Sequence, residues 1–154
     1  MLGVRRGDVR EAVSVNAGSR PVLLATLDVP FDEQAAAFAV DAAVECGQKL
    51  IVTNVVEIPL APLCLNLGYG PLEPDAVQES LRAPAALAHE LGVEVERVRI
   101  RSPHPIAALL EFVAERRPSL LVFGPERSLL RARTFRSVTR KIRERTDCLV
   151  WLPD

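Results

Sequence analysis

The sequence predicts an α/β fold, a single-domain parallel sheet of five strands with helices on both faces. Three observations carry this. Short apolar runs of strand length alternate with helix-patterned segments along the chain, in the order β-α-β-α-β-α-β-α-β. The composition is 49% hydrophobic but only 5% aromatic, and small and branched apolar residues suit parallel strands buried on both sides. The length of 154 residues suits one domain with one substantial core.

Residues 1–20, "MLGVRRGDVREAVSVNAGSR", hold no sustained period and are expected to be a poorly ordered arm or a short strand. The α/β domain is expected to span 21–154. Val22 to Leu27 is a continuous apolar run closed by a turn, which reads as a buried strand. "DEQAAAFAVDAAVECG" supplies helix-forming alanines, acids in its first turn and Gly47 to end it. "KLIVTNVVEI" is the second strand. Residues 59–74 carry Pro59, Pro62, Pro71 and Pro74 with Gly68 and Gly70, and read as a long loop.

"DAVQESLRAPAALAHELG" resumes a helical pattern with Asp75 as N-cap and Gly92 beyond its end. Pro84 inside it predicts a kink or a break. "VEVERVRI" alternates as a half-buried edge strand would. "HPIAALLEFVAERR" is the third helix with Pro105 in its first turn. "SLLVFG" is the fourth strand, Thr134 to Arg145 the fourth helix and "CLVWL" the fifth strand. Each helix returns the chain to a parallel sheet by a right-handed crossover.

Charge is uneven. The net charge is −1, yet the segment from Glu126 to Asp147 holds eight basic residues against three acids. Either an anion-binding loop or a solvated helix face accounts for such a segment. The segment is short, its surroundings are acidic and aromatics are few, which argues against a nucleic-acid surface. No run of 18 apolar residues occurs, so no membrane span is expected. The N-terminal residues lack a signal-like apolar core with a small-residue cleavage site, and the expected localisation is cytoplasmic. Cys46, Cys64 and Cys148 are odd in number and far apart, against both a disulfide framework and a cysteine metal site. His89 and His104 fall in different helical segments with no partner close in sequence. No Gly-x-Ser-x-Gly, Walker A, dinucleotide fingerprint or His-x-x-x-His spacing is present, so no catalytic residue or metal site is assigned.

Three stretches together resemble a universal stress protein domain over about residues 20 to 153. They are the first strand ending in Asp28, the run "HPIAALLEFVAERRPSLLVFG", and the close "SVTRKIRERTDCLVWL". The resemblance implies the sheet order 3-2-1-4-5 and a homodimer paired through the last strand, with Leu149, Val150 and Trp151 at the interface. An edge strand with no following helix needs such cover. One branch of that family binds ATP through G-x-x-G-x(9)-G-S/T. Here Gly124 supplies the first glycine, Arg127 stands at the second, and Arg136 stands at the third with the spacer one residue short. Ser137 then matches the Ser/Thr.

A phosphate cradle needs converging N–H groups with no Cβ in the way. Pro125 removes a donor and the arginines add bulk, although they also bring charge and a bidentate fork. Binding in the family's manner is therefore not expected, and no cofactor is assigned. The alternative is a nucleotide- or anion-responsive protein taking ATP or AMP on Asp28, Val55, Gly124, Arg127, Arg136 and Ser137. In a binding member Asp28 would accept from ribose or adenine. Otherwise it caps the first helix or shapes the crevice. Val55 would pass the adenine or simply fill core.

Overall fold

The computed structural model describes residues 20–58 and 75–153, excepting the side chains of 75–78 and 80. The arm at 1–19 and the loop at 59–74 lie outside the described residues. Nine elements follow in order: β1 (Val22–Leu27), α1 (Glu33–Cys46), β2 (Leu50–Glu57), α2 (Asp75–Glu90), β3 (Val95–Ser102), α3 (Pro105–Arg116), β4 (Leu120–Phe123), α4 (Ala132–Arg145) and β5 (Leu149–Trp151). The strands form one sheet in the order β3-β2-β1-β4-β5, parallel throughout.

β1 is central, and all six of its residues are buried. Its register aligns Val22 with Leu50 on one side and with Leu120 on the other. Alternate side chains point to opposite faces of a strand, so "VLLATL" feeds two cores at once. Val22 and Leu24 pack with Ala35, Ala39, Val40 and Val52 beneath α1 and α2. Leu23 and Ala25 pack with Ile51, Leu109, Phe112, Val138 and Ile142 beneath α3 and α4. Leu23 and Leu24 are both fully buried, and truncating either to alanine should cost about 2–5 kcal/mol.

The helices seat themselves by small, readable devices. Asp32 caps α1 by accepting the Ala35 N–H at 3.0 Å, and Gly47 closes it in the left-handed region at φ 62°. α3 begins with Pro105 in its first turn and ends at Arg117, which takes the same left-handed position at φ 49°. α4 buries Phe135, Val138, Thr139 and Ile142, spaced so that they share one face of the helix. α2 overturns one half of an expectation, the break at Pro84. Pro84 is buried, yet the helix runs unbroken from Asp75 to Glu90. A proline removes one intrahelical bond, and Leu81 and Ala88 on either side of it anchor the helix in the core. Asp75 is itself the first helical residue, not a cap preceding the helix.

β3 is an edge strand with half-buried and exposed residues in near alternation. Glu96 pins it, taking Lys49 Nζ at 2.8 Å and Arg116 Nη2 at 2.8 Å. The Lys49 hydrogen bond, with Arg116 adding to it against some burial, holds the Glu96 carboxyl below the usual range. Arg97, Arg99 and Arg101 alternate along the same strand, and edge charges of this kind discourage pairing with other chains.

Candidate functional site

The order β3-β2-β1-β4-β5 reverses direction between β1 and β4, and in open parallel sheets ligands sit at such a point beyond the carboxyl ends of the strands. Two corners meet there. The first follows β1. Asp28 adopts φ 54°, the left-handed region that is uncommon outside glycine and is entered mostly by Asn, Asp and His. Its N–H is shared by the Val55 carbonyl at 3.0 Å and Asn54 Oδ1 at 2.9 Å. Asn54 is fully buried, and its amide also reaches the Val29 carbonyl at 3.4 Å. Thr26 Oγ1 donates to the same carbonyl at 3.0 Å. Asp28 does not cap α1, because Asp32 does. Its side chain is exposed at the rim, where partial burial, and then Glu57 at the end of β2, push its carboxyl above the ordinary range.

The second corner follows β4. Gly124 is buried, and its N–H donates to the Ala25 carbonyl at 3.0 Å while its own carbonyl accepts the Asp32 N–H at 2.9 Å. The Glu126 N–H donates to the Pro30 carbonyl at 2.9 Å, and Phe31 bridges Pro125 antiparallel. The corners are thus laced together. A Cβ built on Gly124 would collide with the Cβ of Ala35. The glycine is required by the close approach of α1 to the sheet, whatever else it does.

The remaining expected residues scatter. Val55 is fully buried in the core beneath α3 and α4 and contributes only its carbonyl to the corner. Arg127 lies with its guanidinium 3.7 Å from the centroid of Phe135, a cation–π contact against α4. Arg136 is exposed, its Nε 3.4 Å from the Ala132 carbonyl of its own helix. α4 starts two residues before the expected Thr134, so Ser137 sits further from its N-terminus. The helix begins at Ala132, and Ser137 lies in its second turn, about 7.5 Å along the axis and half-buried. Arg131 stands at the N-cap without a side-chain cap bond, and no acid occupies the first turn. Among the described residues no three His, Cys, Asp or Glu side chains converge as a metal site would need. No described helix is long and apolar enough to cross a membrane.

At the far edge, Trp151 stacks on Phe38 of α1 at 5.0 Å and 20°. Val150 packs into the core beneath α3 and α4, while Leu149 is 75% exposed. Of the three expected interface side chains, Leu149 is the one left open.

Asn54, Asp32 and Ala35 were not expected at the site. Asn54 had a legible signal, since an amide inside "IVTNVVE" must find buried partners.

No curated protein matches the chain. Among solved structures it is similar to a universal stress protein in complex with cAMP, at 21% identity and TM-score 0.59, covering 88% of this chain and 96% of that one. It is also similar to a universal stress family protein from Burkholderia pseudomallei, at 18% identity and TM-score 0.63, over 88% and 96%. A third is the universal stress protein from Archaeoglobus fulgidus in complex with dAMP, at 19% identity and TM-score 0.61, over 86% and 96%. At these identities the likeness is one of fold. The model of the universal stress protein family, however, matches residues 18–152, nearly the whole chain. With the strand order, the laced switch point and that match in place, this chain belongs to the universal stress protein family.

Proposed function

We propose that this chain is a cytoplasmic universal-stress module that works through self-association and protein contacts and does not hold ATP in the manner of the glycine-loop members. The observation that carries the reading is the state of the backbone at Gly124–Glu126. The N–H groups of Gly124 and Glu126 already donate to Ala25 and Pro30, and Pro125 has none to give. A phosphate cradle depends on free converging amides, and the first three residues of this loop offer none. Thermal melting with millimolar ATP or AMP tests this. No shift in Tm is expected, whereas a dose-dependent rise would overturn the reading.

Self-association is supported by β5, an edge strand with Leu149 open to solvent. Sedimentation at micromolar protein should give twice the chain mass, and Leu149→Asp should return the monomer with the fold intact. A monomeric unsubstituted chain removes the dimer.

One observation favours a second reading, an anion- or nucleotide-responsive module. α4 opens on Arg131 with Arg133 and Arg136 nearby and no acid in its first turn, so its positive end lacks an internal counter-charge. Structures of similar fold are complexes with cAMP and dAMP. If AMP raises Tm and Arg136→Ala abolishes that rise, this reading replaces the first.

A further inference from the structure

The opposite end of the sheet holds a cavity of about 440 Å³, lined from segments far apart in sequence. It lies at the amino ends of β1, β4 and β5, one strand length from the switch point, about 20 Å at ~3.3 Å per residue. Its volume falls within the range of about 300–1,000 Å³ that small-molecule sites occupy.

Three arginines line it: Arg20 at the entry to β1, Arg117 at the end of α3 and Arg145 in the last turn of α4. Among the described residues none of the three forms an ion pair. Among the described residues, Asp147 is the one acid in the lining. The C-termini of α3 and α4 also end here, each worth about half a negative charge. Three guanidiniums outweigh those two helix ends and one carboxylate together, so the cavity is net positive. Leu110, Val113 and Ala114 of α3 with Pro118 form an apolar side of the wall, and Thr146 and Cys148 complete the lining.

Arg145 has an ordinary explanation, since a cation in the last helical turn complements the dipole. Arg117 does not. It occupies the left-handed position that ends α3, donating its N–H to the Val113 carbonyl, where α1 uses Gly47 for the same task. A side chain there carries backbone strain that glycine avoids, and an arginine at that position places a guanidinium on the cavity wall.

We infer that this cavity is a binding site for a small amphiphilic anion, a carboxylate or phosphate head on an alkyl body. The arginines take the head and the α3 wall takes the alkyl chain. The site is independent of the crevice at the switch point, and its success or failure leaves the reading given above untouched.

Amide chemical-shift titrations of the full chain with octanoate, octyl phosphate, 1-octanol and inorganic phosphate test it. Both octyl anions should give saturable shifts at Leu110, Val113, Arg117 and Cys148. Octanol and inorganic phosphate should each bind at least about ten-fold more weakly, the loss expected when one charge-assisted contact or the apolar wall goes unused. A preference for octanoate or for octyl phosphate supports the site and names the head group. Arg145→Glu should weaken both anions. Arg117→Gly is the sharper variant, because it relieves the left-handed strain and should keep or raise Tm while weakening both anions about ten-fold. Octanol binding as well as octanoate overturns the role of the arginines, and inorganic phosphate binding equally well overturns the role of the wall. Absence of saturable shifts at millimolar octanoate and octyl phosphate overturns the site altogether, as does Arg117→Gly leaving affinity unchanged.

Discussion

At the start of α1 the chain sets Asp32, whose carboxylate accepts the Ala35 N–H, followed by Glu33 in the first turn. At the start of α4 it sets Arg131, with no side-chain cap and no acid in the first turn. These two helix ends face the same crevice and solve the same problem in opposite ways. A helix N-terminus presents unpaired N–H groups and a partial positive charge. α1 answers with negative charge from its own sequence. α4 gathers arginines instead, a choice that costs about 0.3–1 kcal/mol per misplaced charge, and it is held by packing. Phe135 and Val138 seat it in the core, and Arg127 covers the Phe135 ring. The contrast teaches that one corner is electrostatically complete, while the other is held by its hydrophobic face and left open to a counter-ion.

Among variants at the two corners, the largest expected effect tests whether they are one welded unit. Gly124→Ala places a methyl against Ala35, and overpacking of that kind costs about 1–3 kcal/mol. Urea unfolding should show the loss without any nucleotide present. Unchanged stability would mean that α1 can back away from the sheet and that the weld is looser than described.

The next pair makes the same chemical change in opposite directions. Asp32→Ala removes the cap of α1 and should cost about 1 kcal/mol. Arg131→Asp supplies α4 with the cap it lacks and should add about 0.5–1 kcal/mol. If both variants destabilise, the arginine at α4 is satisfied in a way that the cap comparison misses.

The smallest effect concerns Asp28 at the rim of the completed corner. Its native carboxyl is raised by burial and by Glu57, so the folded chain holds that proton to higher pH than the unfolded chain. The charge therefore penalises the fold fully above the native value, and the penalty disappears as pH falls below the ordinary Asp value of about 3.9. Asp28→Asn should raise stability slightly at neutral pH, the effect being screened by solvent at this exposed rim, with the gain shrinking toward pH 3. An equal gain at both pH values would assign the effect to the left-handed backbone, which Asn accepts readily.

Much of this architecture was readable along the chain. "VLLATL" is apolar at positions of both parities, and only a strand covered on both faces can bury it all. Helix-forming alanines, first-turn acids and Gly47 marked α1 as a helix, whereas the burial of Ala35, Ala39 and Ala43 on one face came from the structure. The alternation of β3 marked it as an edge. The strand order came from resemblance to a family, not from periodicity. Asp28 and Gly124 were legible as residues that end strands at the switch point, but the contacts that fix them there were not. The glycine-loop pattern also pointed to Ser137, which the earlier start of α4 carries into the helix interior.

By itself, then, the sequence determined the alternation of elements, the two-faced core and most helix ends, because these depend on period, caps and breakers within a few residues. Only the tertiary structure decided that Gly124 is needed for Ala35, that Glu126 spends its N–H on Pro30, and that Trp151 lies on Phe38. It alone brought Arg20, Arg117 and Arg145 to one cavity. Each of these is a contact between segments distant in sequence, set by how closely one helix approaches one sheet, and no local pattern carries that distance.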